Sequence, residues 1–170
     1  MLKKKSLVLA LLSGLLLPAL SAQAQTQAQP EAAASAPAPK PVYNEKADAR
    51  AELNLALAAA QNQKKNVLVV FGANWCGDCH ALDRKMSAGS LASHVDKRFV
   101  VVKVDVGRFD RNTDLAAQMG VPLKKGIPAV AVLKRDGDVQ SATGGGELAN
   151  ARKMGDEAVL QVFEGLHAKP

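Results

Sequence analysis

Cysteine is scarce, with two residues in a chain of 170. Two thiols cannot build a disulfide-dense mini-protein or a zinc site of four thiolates, so whatever they do, they do as a pair. A strong charge of one sign is also missing. Lys and Arg number 22 against 16 Asp and Glu, a formal +6, but Lys3, Lys4 and Lys5 stand together at the start. Without residues 1–24, which hold no acid, the balance is 19 to 16, too mild to argue for a nucleic-acid partner. No apolar run reaches the roughly 20 residues that a membrane span needs. What is present is ordinary: 48% hydrophobic and 22% charged residues exclude a wholly disordered or fibrous chain, and the length suits one domain or at most two.

The first segment reads as an address. Lys3 to Lys5 precede a short apolar run that contains Pro18, and Ser21-Ala22-Gln23-Ala24 follows it. That order of basic, apolar and small residues is a secretory signal peptide, residues 1–24, with cleavage expected after Ala24. No Cys follows the run to accept a lipid, so no stable membrane anchor is expected after cleavage. The mature chain is expected in a bacterial periplasm or secreted, where disulfide chemistry is catalysed. Residues 25–43 are rich in Ala, Gln and Pro and low in large apolar side chains. Such a segment cannot offset its ordering entropy by burial and is read as a disordered linker. The folded domain is placed at 44–170.

Within it, Ala49, Leu53, Ala56, Leu57 and Ala60 recur at helical spacing, with Asn44 as the candidate cap. Residues 67–71 (VLVVF) are a continuous apolar run of β-formers, the pattern of a strand covered on both faces. A loop then leads to a helix over 77–86 and a shorter helical stretch over 91–97. Residues 99–106 read as a second strand, 112–119 as a short helix stopped by Gly120, and 129–133 as a third strand. Residues 135–138 (RDGD) are a hairpin signal, with an antiparallel partner from Val139. Leu148, Ala151, Ala158, Val162 and Leu166 mark one or two closing helices, interrupted at 155–156. The order α-β-α-β-α-β-β-α predicts an α/β fold, a mixed central sheet of about four strands with helices on both faces.

Trp75-Cys76-Gly77-Asp78-Cys79-His80 lies where the first strand gives way to a helix. Cys76 falls at or just before the first turn, where unpaired N–H groups and the helix dipole favour an anion and lower the thiol pKa. The spacing of three places Cys79 on the same face, close enough for a disulfide. Cys76 is therefore the candidate nucleophile and Cys79 the candidate resolving thiol. A loop this small removes little unfolded-state entropy, so stability is a weak reason to have the bond. Trp75 is expected to shield the thiolate and contact substrate.

The run from Val69 to Cys79 (VVFGANWCGDC), followed by Gly126-Ile127-Pro128 before an apolar strand, resembles the thioredoxin family over roughly residues 67–146. The resemblance implies a thioredoxin-like fold, thiol-disulfide oxidoreductase activity without a cofactor beyond the redox-active cysteine pair, and a cis-proline at Pro128 beside the cysteines. It also implies that Ile127 offers its backbone to an extended substrate segment. Partners would be proteins with disulfides or thiols and a membrane redox relay.

Departures from the family are informative. Val70 stands where a buried Asp usually helps deprotonate the resolving thiol, and Arg84 replaces the helix-kinking proline. Lys103 matches a family lysine but lacks that acidic neighbour. Gly77, Asp78 and His80 form the surroundings that tune the thiolate: Asp78 opposes it by repulsion, while a protonated His80 would favour it. Asp78 leans the expectation towards a reductase. Asp83, four residues after Cys79, is within reach as a substitute proton acceptor, although an acid on a helix is more often solvated. His94 and His167 are read as surface residues.

Cys76-Gly-Asp-Cys79-His80 is also a literal c-type haem attachment motif, which would use His80 and a methionine such as Met86, Met119 or Met154 as axial ligands. A third reading has the two thiolates and His80 holding copper or zinc. The strand-Trp lead-in and the Gly-Ile-Pro loop are explained by the oxidoreductase reading and superfluous to the other two.

Overall fold

The computed structural model describes residues 40–167. The expected signal peptide, its cleavage site and most of the expected linker lie outside the described residues. The elements follow the expected order: α1 (Ala49–Gln63), β1 (Asn66–Gly72), α2 (Gly77–Met86), α3 (Gly89–Arg98), β2 (Phe99–Asp105), α4 (Thr113–Gln118), β3 (Ala129–Leu133), β4 (Val139–Ala142) and α5 (Asp156–His167). Short 3-10 turns lie at Leu123–Lys125 and Ala151–Lys153.

The four strands form one mixed sheet in the order β2-β1-β3-β4. β1 is parallel to β2 and antiparallel to β3, which in turn pairs antiparallel with β4. β1 and β3 are therefore the inner strands. Every residue of β3, and every residue of β1 after Asn66, is buried, which accounts for their unbroken apolar sequence.

Alternate residues sort onto two faces. Val67, Val69 and Phe71 of β1 join Val102 and Val104 of β2 and Leu53, Ala56 and Ala60 of α1 in one core. Leu68 and Val70 join Leu82 and Met86 of α2, Leu91 and Val95 of α3, and Val159 and Phe163 of α5 in the other. Helices thus cover both faces. The inward face of α5 is carried by Val159, Phe163 and Leu166, one position on from the expected Ala158 and Val162. Burying the Phe163 ring removes far more apolar surface from water than burying Ala158 would.

Boundaries moved where side chains supplied caps. Asp48, rather than Asn44, caps α1 by accepting from the N–H groups of Arg50 and Ala51 at 3.0 and 3.1 Å. The linker expectation yields at its last residues, because Tyr43 is 3% exposed and belongs to the α1-side core. The histidines also depart from expectation. His94 is buried, and its ring packs 6.0 Å from Phe99 and 6.5 Å from His167, edge-on to the latter. His167 is half-buried at the end of α5. Their surroundings are apolar because α3, the start of β2 and the end of α5 converge there.

Candidate active site

Cys76 is the N-cap of α2. Its backbone is extended (φ −85°, ψ 107°), and its Sγ accepts the Cys79 N–H at 3.1 Å. A sulfur in this position faces the unpaired N–H groups of the first turn, the expected setting for a stabilised thiolate. Cys76 and Cys79 are joined as a disulfide with Cα atoms 5.2 Å apart. Cys79 is fully buried, and Cys76 is nearly so at 5%. The two sulfurs are therefore unequal, and Cys76 is the one nearer the surface.

The loop before β3 meets them from the other side. The Ile127 carbonyl oxygen lies 3.5 Å from Cys76 Sγ, and the Ile127–Pro128 peptide bond is cis. Trp75 stands beside the pair, 52% exposed, with its Nε1–H donating to the Gly107 carbonyl at 2.7 Å. Its ring meets Phe109 edge-on at 5.9 Å, and Phe109 is itself exposed. Two large rings held in solvent next to a disulfide form an apolar rim. A groove of about 660 Å³, lined by Phe109, Ala117, Val121, Pro122 and Leu123 among others, opens beside Gly126.

Asp78 is answered by a residue that sequence reasoning missed. Its carboxylate accepts the Arg152 backbone N–H at 2.9 Å and pairs with the Arg152 guanidinium at 3.1 Å. Burial pushes the Asp78 carboxyl up, but the Arg152 hydrogen bonds and charge outweigh that and hold it below its ordinary value. The guanidinium also lies against Gly77, where a Cβ would stand 3.0 Å from Arg152 Nη1. The charge that was to oppose the thiolate is therefore partly compensated.

His80 is buried, and its Nε2 lies 2.7 Å from the Asn74 carbonyl oxygen. That nitrogen carries the proton in this contact, so the ring ties the active-site loop to the first turn of α2. Lys103 does have an acidic neighbour: its ammonium pairs with Asp83, which is half-buried and partnered rather than free in solvent. Val70 and Lys103 are register partners on β1 and β2, and Asp83 reaches the lysine from α2. Asp105 is also buried, at the end of β2 beside Gly72. Burial pushes its carboxyl up; the Gly107 N–H opposes this, Glu45 adds to it and Arg111, 3.7 Å away, opposes it again.

These surroundings do not fit a haem. His80 Nε2 is engaged by backbone, and Met86 and Met119 lie in cores on opposite faces of the sheet. Among the described residues, no group of three or more His, Cys, Asp or Glu is arranged to hold a metal ion.

A family model described as thioredoxin-like matches residues 48–134. The chain belongs to the thioredoxin-like family. It is 48% identical to a crystal structure described as a disulphide isomerase from Xylella fastidiosa Temecula1, over 74% of this chain and 96% of that one, with a TM-score of 0.70. The C-terminal domain of DsbD from Neisseria meningitidis, in its oxidised form, shares the fold at 22% identity and a TM-score of 0.51, over 71% and 97% of the two chains. A thioredoxin from Thermus thermophilus does so at 22% and 0.50, over 68% and 84%. No curated protein sequence matches the chain. A thioredoxin-like chain with this cysteine pair is a thiol-disulfide oxidoreductase.

Proposed function

We propose that this thioredoxin-like protein is exported to the periplasm by the segment 1–24, and works there from its dithiol form on the disulfides of client proteins. The Cys76 thiolate attacks a client disulfide, one client sulfur leaves as a thiolate, and a mixed disulfide forms. Cys79 then attacks Cys76 Sγ, the second client sulfur leaves, and the two electrons of the dithiol have passed to the client. The product is the Cys76–Cys79 disulfide, so no cofactor enters the cycle. Each turnover consumes the dithiol, which a membrane relay would restore. Trp75 shields the sulfur and, with Phe109 and the groove beside Gly126, receives apolar side chains flanking the client cysteine. The Ile127 backbone next to Pro128 pairs with the client's extended segment.

The observation that carries this reading is the placement of Cys76 Sγ, capping α2 and facing the Ile127 carbonyl. A second reading, isomerisation, is favoured by the description of the 48% identical structure. It uses the same first step, with the client rather than Cys79 displacing Cys76. Both are tested by trapping. The Cys79→Ser protein, expressed in a bacterial periplasm, is expected to accumulate mixed disulfides through Cys76, and the wild-type protein to reduce insulin faster than Cys76→Ser. Equal rates and no trapped clients contradict the proposal.

A further inference from the structure

One buried group beside the sulfurs has no part in the cycle so far. Tyr43 comes from the segment before α1, and Asn74, two residues before Cys76, holds it. The Asn74 carboxamide accepts from the N–H groups of Val42 and Tyr43 and donates to the Tyr43 carbonyl, all at 2.9 Å. Gly72 shows where the ring ends. A Cβ there would stand 2.2 Å from the Tyr43 hydroxyl oxygen and 2.9 Å from Cys79 Sγ, so phenol and resolving sulfur converge over bare backbone at the end of β1.

Resting on the reading of Cys79 as the resolving thiol, we propose that Tyr43 donates a hydrogen bond to the Cys79 sulfur as it becomes the attacking thiolate. The charges nearby make such a donor useful. Asp83 and Asp105 both act on this spot, the first paired with Lys103 and the second with Arg111, and Glu45 is tied to Asn74. Carboxylates disfavour a second anion, and Val70 contributes neither a base nor a donor. The phenol itself is held protonated: burial, then Asp83, then Asp105 push its pKa far above the ordinary value. It is thus fitted to donate and unfitted to act as a base. In the step, the Cys79 S–H bond breaks and its proton goes to solvent. The Cys79–Cys76 bond forms, the Cys76–client bond breaks, and the client sulfur leaves with the electron pair and takes up a proton. Tyr43 keeps its own proton throughout.

The reduced protein, mixed with one equivalent of 5,5′-dithiobis(2-nitrobenzoate), tests this. The first thionitrobenzoate released reports attack by Cys76, and the second reports attack by Cys79. Tyr43→Phe keeps the ring, so the first phase is expected to be unchanged and serves as the check on folding. Losing a hydrogen bond to an anion is expected to raise the midpoint of the second phase by about one pH unit. A less stabilised thiolate is also more nucleophilic, with a Brønsted slope of about 0.4–0.5. The second phase should therefore be about threefold slower below the midpoint and faster than wild type above it. A second phase unchanged, or slowed by one factor at every pH, overturns the role of Tyr43. A wild-type first phase no faster than that of free cysteine overturns the parent reading instead, so the two failures are distinguishable.

Discussion

Asp78 is a carboxylate within two residues of a sulfur meant to be an anion, and the residue that makes this tolerable lies 74 positions away in sequence. Arg152 compensates the charge in place, leaving Cys76 with the N–H groups of α2. Arg152→Ala is expected to expose that charge, destabilise the thiolate, and move the potential of the Cys76/Cys79 couple towards the reducing side by about 10 to 30 mV, on a scale where 30 mV is about 1.4 kcal/mol. Asp78→Asn should move it the other way. Equilibration with glutathione measures both, and a shift of Arg152→Ala to the oxidising side contradicts this electrostatic account. At this scale the sequence disclosed what is local, the Cys pair and the capping position of Cys76, and the family resemblance supplied the cis bond at Pro128. It hid Arg152, Tyr43 and the Asp83–Lys103 pair. A basic residue in a late turn or a tyrosine at the edge of a Pro-rich stretch carries no local mark of what it will meet.

Elements were legible wherever periodicity was strong and side chains were large. β1 and β3 read as unbroken apolar runs because both faces are covered, and α2 and β3 were placed with the bounds observed. The start of α1 shifted because capping competes among several polar residues, and the inward face of α5 shifted because bulk, not mere apolarity, decides which stripe of a helix turns inward, while the face expected for α1 is the one buried. The histidines were missed for a related reason. Burial of His94 depends on α3, β2 and α5 packing together, which spacing within α3 does not reveal. Burial, followed by the Arg98 charge, pulls the His94 pKa below its ordinary value, His167 adding to this and Glu164 opposing it. A base whose folded pKa is depressed contributes stability above its unfolded pKa of about 6.5, and that contribution is lost as pH falls through the folded value. Urea unfolding between pH 7.5 and 5 should therefore show stability declining below about pH 6.5. His94→Phe should flatten that decline, and an equal decline in the variant contradicts the assignment.

Across residues 40–167 the Cys76–Cys79 pair sits at one end of a mixed sheet, where β1 ends and α2 begins. The parallel β1–β2 pairing brings Asp105 level with Gly72, and the antiparallel β3 returns the 126–128 loop to face Cys76. Three segments far apart in sequence, residues 42–45, 72–80 and 126–128, meet there. At this end Trp75 and Phe109 stay exposed, with the groove beside Gly126 next to them. The mixed sheet with its closing hairpin was readable from element order, because parallel strands require a crossover and a hairpin signal follows β3, but the strand order β2-β1-β3-β4 was not. The inclusion of 42–45 was not, since a short stretch held by the side chains of Asn74 and Arg111 has no periodicity to betray it. The central claim is that this architecture holds Cys76 as a reactive anion. The pH dependence of iodoacetamide alkylation of Cys76, measured in Cys79→Ser protein, tests it most directly. A midpoint below the value of about 8.5 for free cysteine is expected, and a midpoint at or above 8.5 contradicts the account.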